Sequence, residues 1–111
     1  MLPKKHRLNL NKQRFFRGEI EYSSPFFKIL KRNGSGVGPK IGFIISGKVG
    51  KAVTRNKIRR LLAQSIINNI DRIPKTSLLI LIAFPKIAGI NADRIEEEVN
   101  KGLLKLFNNN V

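Results

Sequence analysis

Apolar positions recur along this chain with more than one period. In the middle of the sequence Ile58, Leu61, Leu62, Ser65, Ile66 and Ile70 fall in one sector at about 100° per residue, while Asn56 and Arg60 point away, so the spacing predicts an amphipathic helix. Pro74 ends it, because proline has no N–H for the helical ladder and its ring clashes with the preceding turn. Thr54 is a candidate N-cap, and Gly50 leaves an earlier start open. A second amphipathic helix is predicted over 91–107, with Ile95, Val99, Leu103, Leu106 and Phe107 on its stripe. Asp93 and Glu96, Glu97 and Glu98 stand at its start and Lys101 and Lys105 near its end, the order that the helix macrodipole favours.

Other segments follow a strand period. Residues 77–84 (SLLILIAF) form a continuous apolar run, the pattern of a central strand covered on both faces. In 40–46 (KIGFIIS), Ile41, Phe43 and Ile45 point one way and Gly42, Ile44 and Ser46 the other; the small residues leave that second face room for a ligand. Residues 24–32 (SPFFKILKR) are a further strand candidate, and the turn formers of 32–39 predict a hairpin joining it to 40–46. A short helix is predicted over 11–17, carrying Phe15 and Phe16 and limited by Gly18. Residues 1–12 are too polar to stay ordered alone and are expected to form a flexible basic arm, and 108–111 a frayed tail.

Length and charge narrow the function. A chain of 111 residues is one domain with a modest core. A formal charge of +15 calls for a polyanionic partner, because self-repulsion on that scale opposes a compact state. It is regional: residues 1–60 hold sixteen Lys and Arg against Glu19 and Glu21, fourteen of the fifteen net charges. With no cysteine, disulfides, thiolate metal sites and Cys nucleophiles are excluded. The opening MLPKKHRLNLNK has no apolar signal-peptide core, and the longest apolar run is too short to span a bilayer. A cytoplasmic protein with no membrane association is expected.

Catalytic side chains are scarce. His6 is the only histidine and lies in the expected arm. The carboxylates of 96–98 are consecutive helical residues that do not converge on one ion, so a solvated helix start is the favoured reading and no metal site is expected. No Ser–His–Asp, P-loop or GxGxxG pattern is present. The start of the first long helix differs: Lys48, Lys51, Arg55, Lys57, Arg59 and Arg60 fall within 48–60 with no acid beside them. A helix N-terminus adds free N–H groups and the positive end of its dipole, which together make an anion site. These features point to nucleic acid. A strand precedes this helix, so it is not a helix-turn-helix. A sheet with Phe15, Phe16, Tyr22, Phe26 and Phe27 nearby resembles a platform for unstacked bases, although for any one of these rings a core position is the favoured reading.

The stretch Ser46-Gly47-Lys48-Val49-Gly50-Lys51-Ala52-Val53-Thr54-Arg55-Asn56-Lys57-Ile58-Arg59-Arg60 resembles the signature of the bacterial ribonuclease P protein subunit. That signature follows a strand ending in Ser and reads approximately Lys-Lys-x-Gly-x-Ala-Val-x-Arg-Asn-Arg-Ile-Lys-Arg. The likeness extends to the LPKKHRL opening, a Phe-bearing first helix, SPFFKIL, KIGFIIS, SLLILIAFP and the final helix. It implies an α+β two-layer sandwich, a small central sheet of about four strands packed with helices, with a left-handed βαβ crossover. It implies that Lys48, Lys51, Arg55, Asn56, Lys57, Arg59 and Arg60 contact the RNA subunit, and that Phe15, Phe16, Phe27 and Lys28 line a cleft for the 5′ leader of precursor tRNA. The RNA subunit, holding most of the Mg2+, would carry out the phosphodiester hydrolysis, and no stable protein partner is expected. Gly47, Ala63-Gln64 and Phe84 depart from the family pattern, the stretch between Phe16 and Ser24 is shorter than usual, and Lys57 replaces an Arg, keeping charge but losing bidentate phosphate geometry. The alternative is a non-catalytic ribosomal or architectural RNA-binding protein, which explains the charge but not the signature's spacing.

Overall fold

Four strands, β1 (Glu19–Ser23), β2 (Phe27–Asn33), β3 (Lys40–Ile44) and β4 (Ser77–Ala83), form one mixed sheet in the order β1-β2-β4-β3. The computed structural model describes residues 4–7, 19–33 and 38–107. The predicted helix over 11–17, with Phe15 and Phe16, and the tail at 108–111 lie outside them.

The apolar run of 77–84 takes a central position. β4 pairs antiparallel with β2 and parallel with β3, so the hairpin expected between 24–32 and 40–46 does not form. A strand apolar on both faces gains most between two neighbours, whereas β3, whose Ile44 is 42% exposed, tolerates the edge. The true hairpin is β1–β2. It turns at Ser24, whose Oγ accepts the N–H groups of Phe26 (3.2 Å) and Phe27 (3.3 Å), while the Ser24 N–H donates to the Phe27 carbonyl (2.9 Å). The sequence reading missed β1, because EIEYS is short and lacks the apolar run that marked the other strands.

Between β3 and β4 runs α1 (Ala52–Asn68), and after β4 comes α2 (Ala92–Phe107). α1 starts at the earlier of the two expected positions, with Lys51 rather than Thr54 as N-cap. It stops before Pro74 because Asn69 caps it, the Asn69 side-chain amide donating to the Ser65 carbonyl (2.8 Å) and to Asn100 Oδ1 (2.6 Å). α2 begins where Asn91 Oδ1 accepts the Arg94 N–H at 2.8 Å, an N-cap bond.

Strand alternation divides the sheet into two faces. Phe27, Ile29, Ile41, Leu79 and Leu81 are buried in one cluster with Ile58, Leu62 and Ile66 of α1 and Ile95, Val99 and Leu103 of α2. Deeply buried aliphatic side chains of this size each contribute about 1.5–3 kcal/mol, and this cluster is the core. In the observed register Lys28, Leu30 and Arg32 share the opposite face with Leu78, Ile80 and Ile82 and with Lys40, Gly42 and Ile44. β3 therefore shows the parity expected from its sequence.

Part of the expected free arm is anchored. Lys4–His6 form a 3-10 turn, Arg7 bridges to Ile41 along the outer edge of β3, and His6 Nδ1–H donates to the Pro39 carbonyl at 2.8 Å. That contact blunts the sheet edge.

Candidate nucleic-acid interface

The loop from β3 into α1 is pinned at both ends. Ile45 and Val49 are buried, the Val49 N–H donates to the Ser46 carbonyl (3.1 Å), and the Lys48 N–H donates to Ser46 Oγ (3.3 Å). This turn leaves Gly47 and Lys48 exposed. At Gly50 the backbone runs against the first helical turn: a Cβ there would lie 3.0 Å from Thr54 Cγ2 and 3.1 Å from Thr54 Cβ. Glycine permits that approach. The Gly50 carbonyl then accepts Arg55 Nε–H at 3.2 Å and fixes the Arg55 side chain at the helix start.

One turn on, Arg59 Nη1 donates to Asn56 Oδ1 at 3.1 Å. Lys48, Lys51, Asn56, Lys57 and Arg60 are exposed, and Arg55 and Arg59 are half-buried. No side chain caps the first N–H groups and no acid stands in the first turn. Among the described residues the ion pairs are Arg94–Glu98 and Lys101–Glu98, so none of the six cations from Lys48 to Arg60 has a carboxylate partner. Like charges at i,i+4, such as Lys51–Arg55 and Arg55–Arg59, cost about 0.2–0.5 kcal/mol each, and cations at a helix N-terminus oppose the dipole by a similar amount. An anion relieves both.

The candidates for the second site separate. Phe27 has no exposed surface and its ring centroid lies 6.0 Å from that of Tyr22, so it belongs to the core and cannot stack on a base. Phe15 and Phe16 lie outside the described residues. Lys28 is half-buried on the sheet face away from the helices. Ile44, on the β3 face expected to have room for a ligand, shares that face, and sequence reasoning missed the others beside it: Leu30, Arg32, Lys40 and Ile82. The register with β4 was the deciding information, because the period-2 pattern of β2 alone does not say which parity is buried.

The acidic cluster of α2 is not a uniformly solvated helix start. Glu98 is 4% exposed and its Oε2 accepts Arg94 Nε–H at 3.1 Å and faces Lys101 Nζ at 3.5 Å. It lies close to Tyr22, whose phenol is raised above its ordinary pKa first by burial and then by this carboxylate. No group of three or more His, Cys, Asp or Glu positioned for a metal ion occurs among the described residues, and no helix among them is long and apolar enough to cross a membrane.

The molecule is thus an α+β sandwich with an uncompensated cationic helix start beside a mixed sheet, and comparison with known proteins sharpens that class. The family model described as Ribonuclease P matches residues 2–107. The ribonuclease P protein component of a Nitratiruptor species is 34% identical over 87 residues, 78% of this chain and 77% of that protein. The component from Rhodococcus opacus is 32% identical over 69 residues, 62% of this chain and 55% of its own length. Among solved structures, the protein from Thermotoga maritima in complex with 1-(4-fluorophenyl)-2-thiourea superposes with a TM-score of 0.79 at 24% identity, over 87% of this chain and 96% of that one. The Staphylococcus aureus protein does so with a TM-score of 0.72 at 26% identity, over 97% and 96%. The chain belongs to the ribonuclease P protein family.

Proposed function

We propose that this chain is the protein subunit of a ribonucleoprotein that removes the 5′ leader of precursor tRNA, and that α1 docks it on the catalytic RNA. The observation that carries this reading is the run of six cations, none with a carboxylate partner among the described residues, around a helix N-terminus without a side-chain cap. Backbone N–H groups and guanidinium forks bind phosphate oxygens, and each phosphate neutralised releases condensed counterions. Lys48, Lys51, Arg55, Asn56, Lys57, Arg59 and Arg60 form this docking surface. Arg55, tied to the Gly50 carbonyl through Nε, keeps its terminal nitrogens for phosphate.

The leader of the substrate lies on the other sheet face. Lys28 supplies charge there, and Leu30, Ile82 and Ile44 supply apolar surface for bases and sugars. The protein contributes binding and orientation to a reaction whose Mg2+ belongs to the RNA. Asp93, Glu96 and Glu97 are exposed on a single helix and Glu98 is held by Arg94 and Lys101, so the α2 carboxylates do not fit a protein-held Mg2+.

Reconstitution tests the proposal. Added to its cognate RNA subunit at low Mg2+, the protein should raise cleavage of precursor tRNA at the mature 5′ end and leave the substrate intact when RNA is omitted. No gain over RNA alone would favour an architectural RNA-binding role instead, and cleavage without RNA would make the protein itself a nuclease.

A further inference from the structure

At the turn of the β1–β2 hairpin, α2 closes a pocket of about 400 Å³ that the docking surface and the sheet face leave unused. Its volume lies within the range of small-ligand sites. Tyr22 and Phe26 form an aromatic wall, and Arg94, Lys101 and Lys105 line the opposite side along one helix face. The Arg94 guanidinium lies 5.4 Å from the Phe26 ring centroid. Its Nε is given to Glu98, which leaves the two terminal nitrogens without a partner. The buried Glu98 carboxylate forms the floor. Both of its ion pairs fall on Oε2, so Oε1 remains an acceptor; it is not fully buried, because no fully buried side-chain oxygen among the described residues lacks a partner, and Glu98 lines the pocket.

The geometry points to a second nucleotide site in this pocket, one that takes a nucleoside monophosphate unit whose base carries an exocyclic amino group. The base stacks against the aromatic wall and the guanidinium, its amino group donates to Glu98 Oε1, and the phosphate meets Lys101 and Lys105. With three cations and one carboxylate the site keeps net positive charge. Lys28, Ile82 and Ile44 form one transverse row of the sheet, so the hairpin turn and the loop into α1 leave the sheet at the same end. A single RNA can reach both.

The chain has one tyrosine, so the ring signals of a ¹³C-tyrosine-labelled sample report this pocket alone. The free protein is titrated with cytidine 5′-monophosphate, uridine 5′-monophosphate, inorganic phosphate and tetracytidylate, and no RNA subunit is needed, so the outcome is independent of the docking proposal. Cytidine monophosphate should move the Tyr22 signals at lower concentration than uridine monophosphate, and inorganic phosphate should leave them in place. Lys101→Ala/Lys105→Ala, which alters two exposed side chains, should weaken the cytidine effect about tenfold. Tighter binding of tetracytidylate identifies an RNA segment as the natural source, and equal binding identifies a free nucleotide. Signals that do not move, that move equally with inorganic phosphate, or that respond identically in the double variant would overturn the assignment.

Discussion

The two long helices use their charged residues in opposite ways. α2 places Asp93 in its first turn and Lys105 in its last, and Glu98 is held between Arg94 and Lys101; these placements favour the helix itself. α1 has no acid in its first turn, no side-chain cap, and cations at the end where its dipole disfavours them. Charge arranged against local stability marks a surface completed by something else, whereas charge arranged with it stabilises its element with or without a ligand.

The comparison is broken most severely by reversing the α1 charges. Arg55→Glu/Arg60→Glu should leave the fold intact, because both residues sit outside the core cluster, yet reduce affinity for the RNA subunit by at least about a hundredfold, since two charge-assisted phosphate contacts become repulsions. Filter binding with the thermal midpoint as a folding control checks this. The reverse pattern is expected in α2: Glu98→Ala removes the acceptor shared by Arg94 and Lys101. It should cost about 1–2 kcal/mol in denaturant unfolding, held below the value for a fully buried pair because both cations are about half exposed.

A smaller effect concerns Tyr22. Its phenol is raised in the folded state by burial and then by Glu98, so the folded protein favours the neutral form. The resulting stabilisation is fully present below the unfolded pKa near 10.0 and is lost as pH rises through the higher folded value. Unfolding free energy measured from pH 9 to 11 should therefore fall more steeply for the wild type than for Tyr22→Phe. Equal slopes would remove Tyr22 from the account.

How far the sequence could be read depended on which physical signal each segment carries. The stripe of α1, the stripe of α2 and the apolar run of β4 are long periodic patterns, and each gives its element directly. Partner choice among strands was not legible: the turn formers before β3 suggested a hairpin with β2, and only the preference of an apolar strand for the centre places β4 between them. At the site, the cations of α1 stand out because a run without acids is visible in one dimension. Phe27 takes the core position favoured for any one ring, against the cleft role the resemblance implied, because the parity of Phe27 at the start of β2 is set by the β4 register. Glu98 was misread because its burial arises only from tertiary packing, with α2 set beside β1.

Docking on RNA through phosphates met by the exposed cations of α1 is the core of the proposed function. Its most direct test is the salt dependence of affinity for the cognate RNA subunit, compared between the wild type and Lys57→Ala/Arg60→Ala. Both side chains are exposed, and each phosphate contact contributes roughly one unit to the slope of log affinity against log salt. The slope should be shallower by about two in the double variant; an unchanged slope would overturn the docking proposal and show that this face of α1 points away from the RNA.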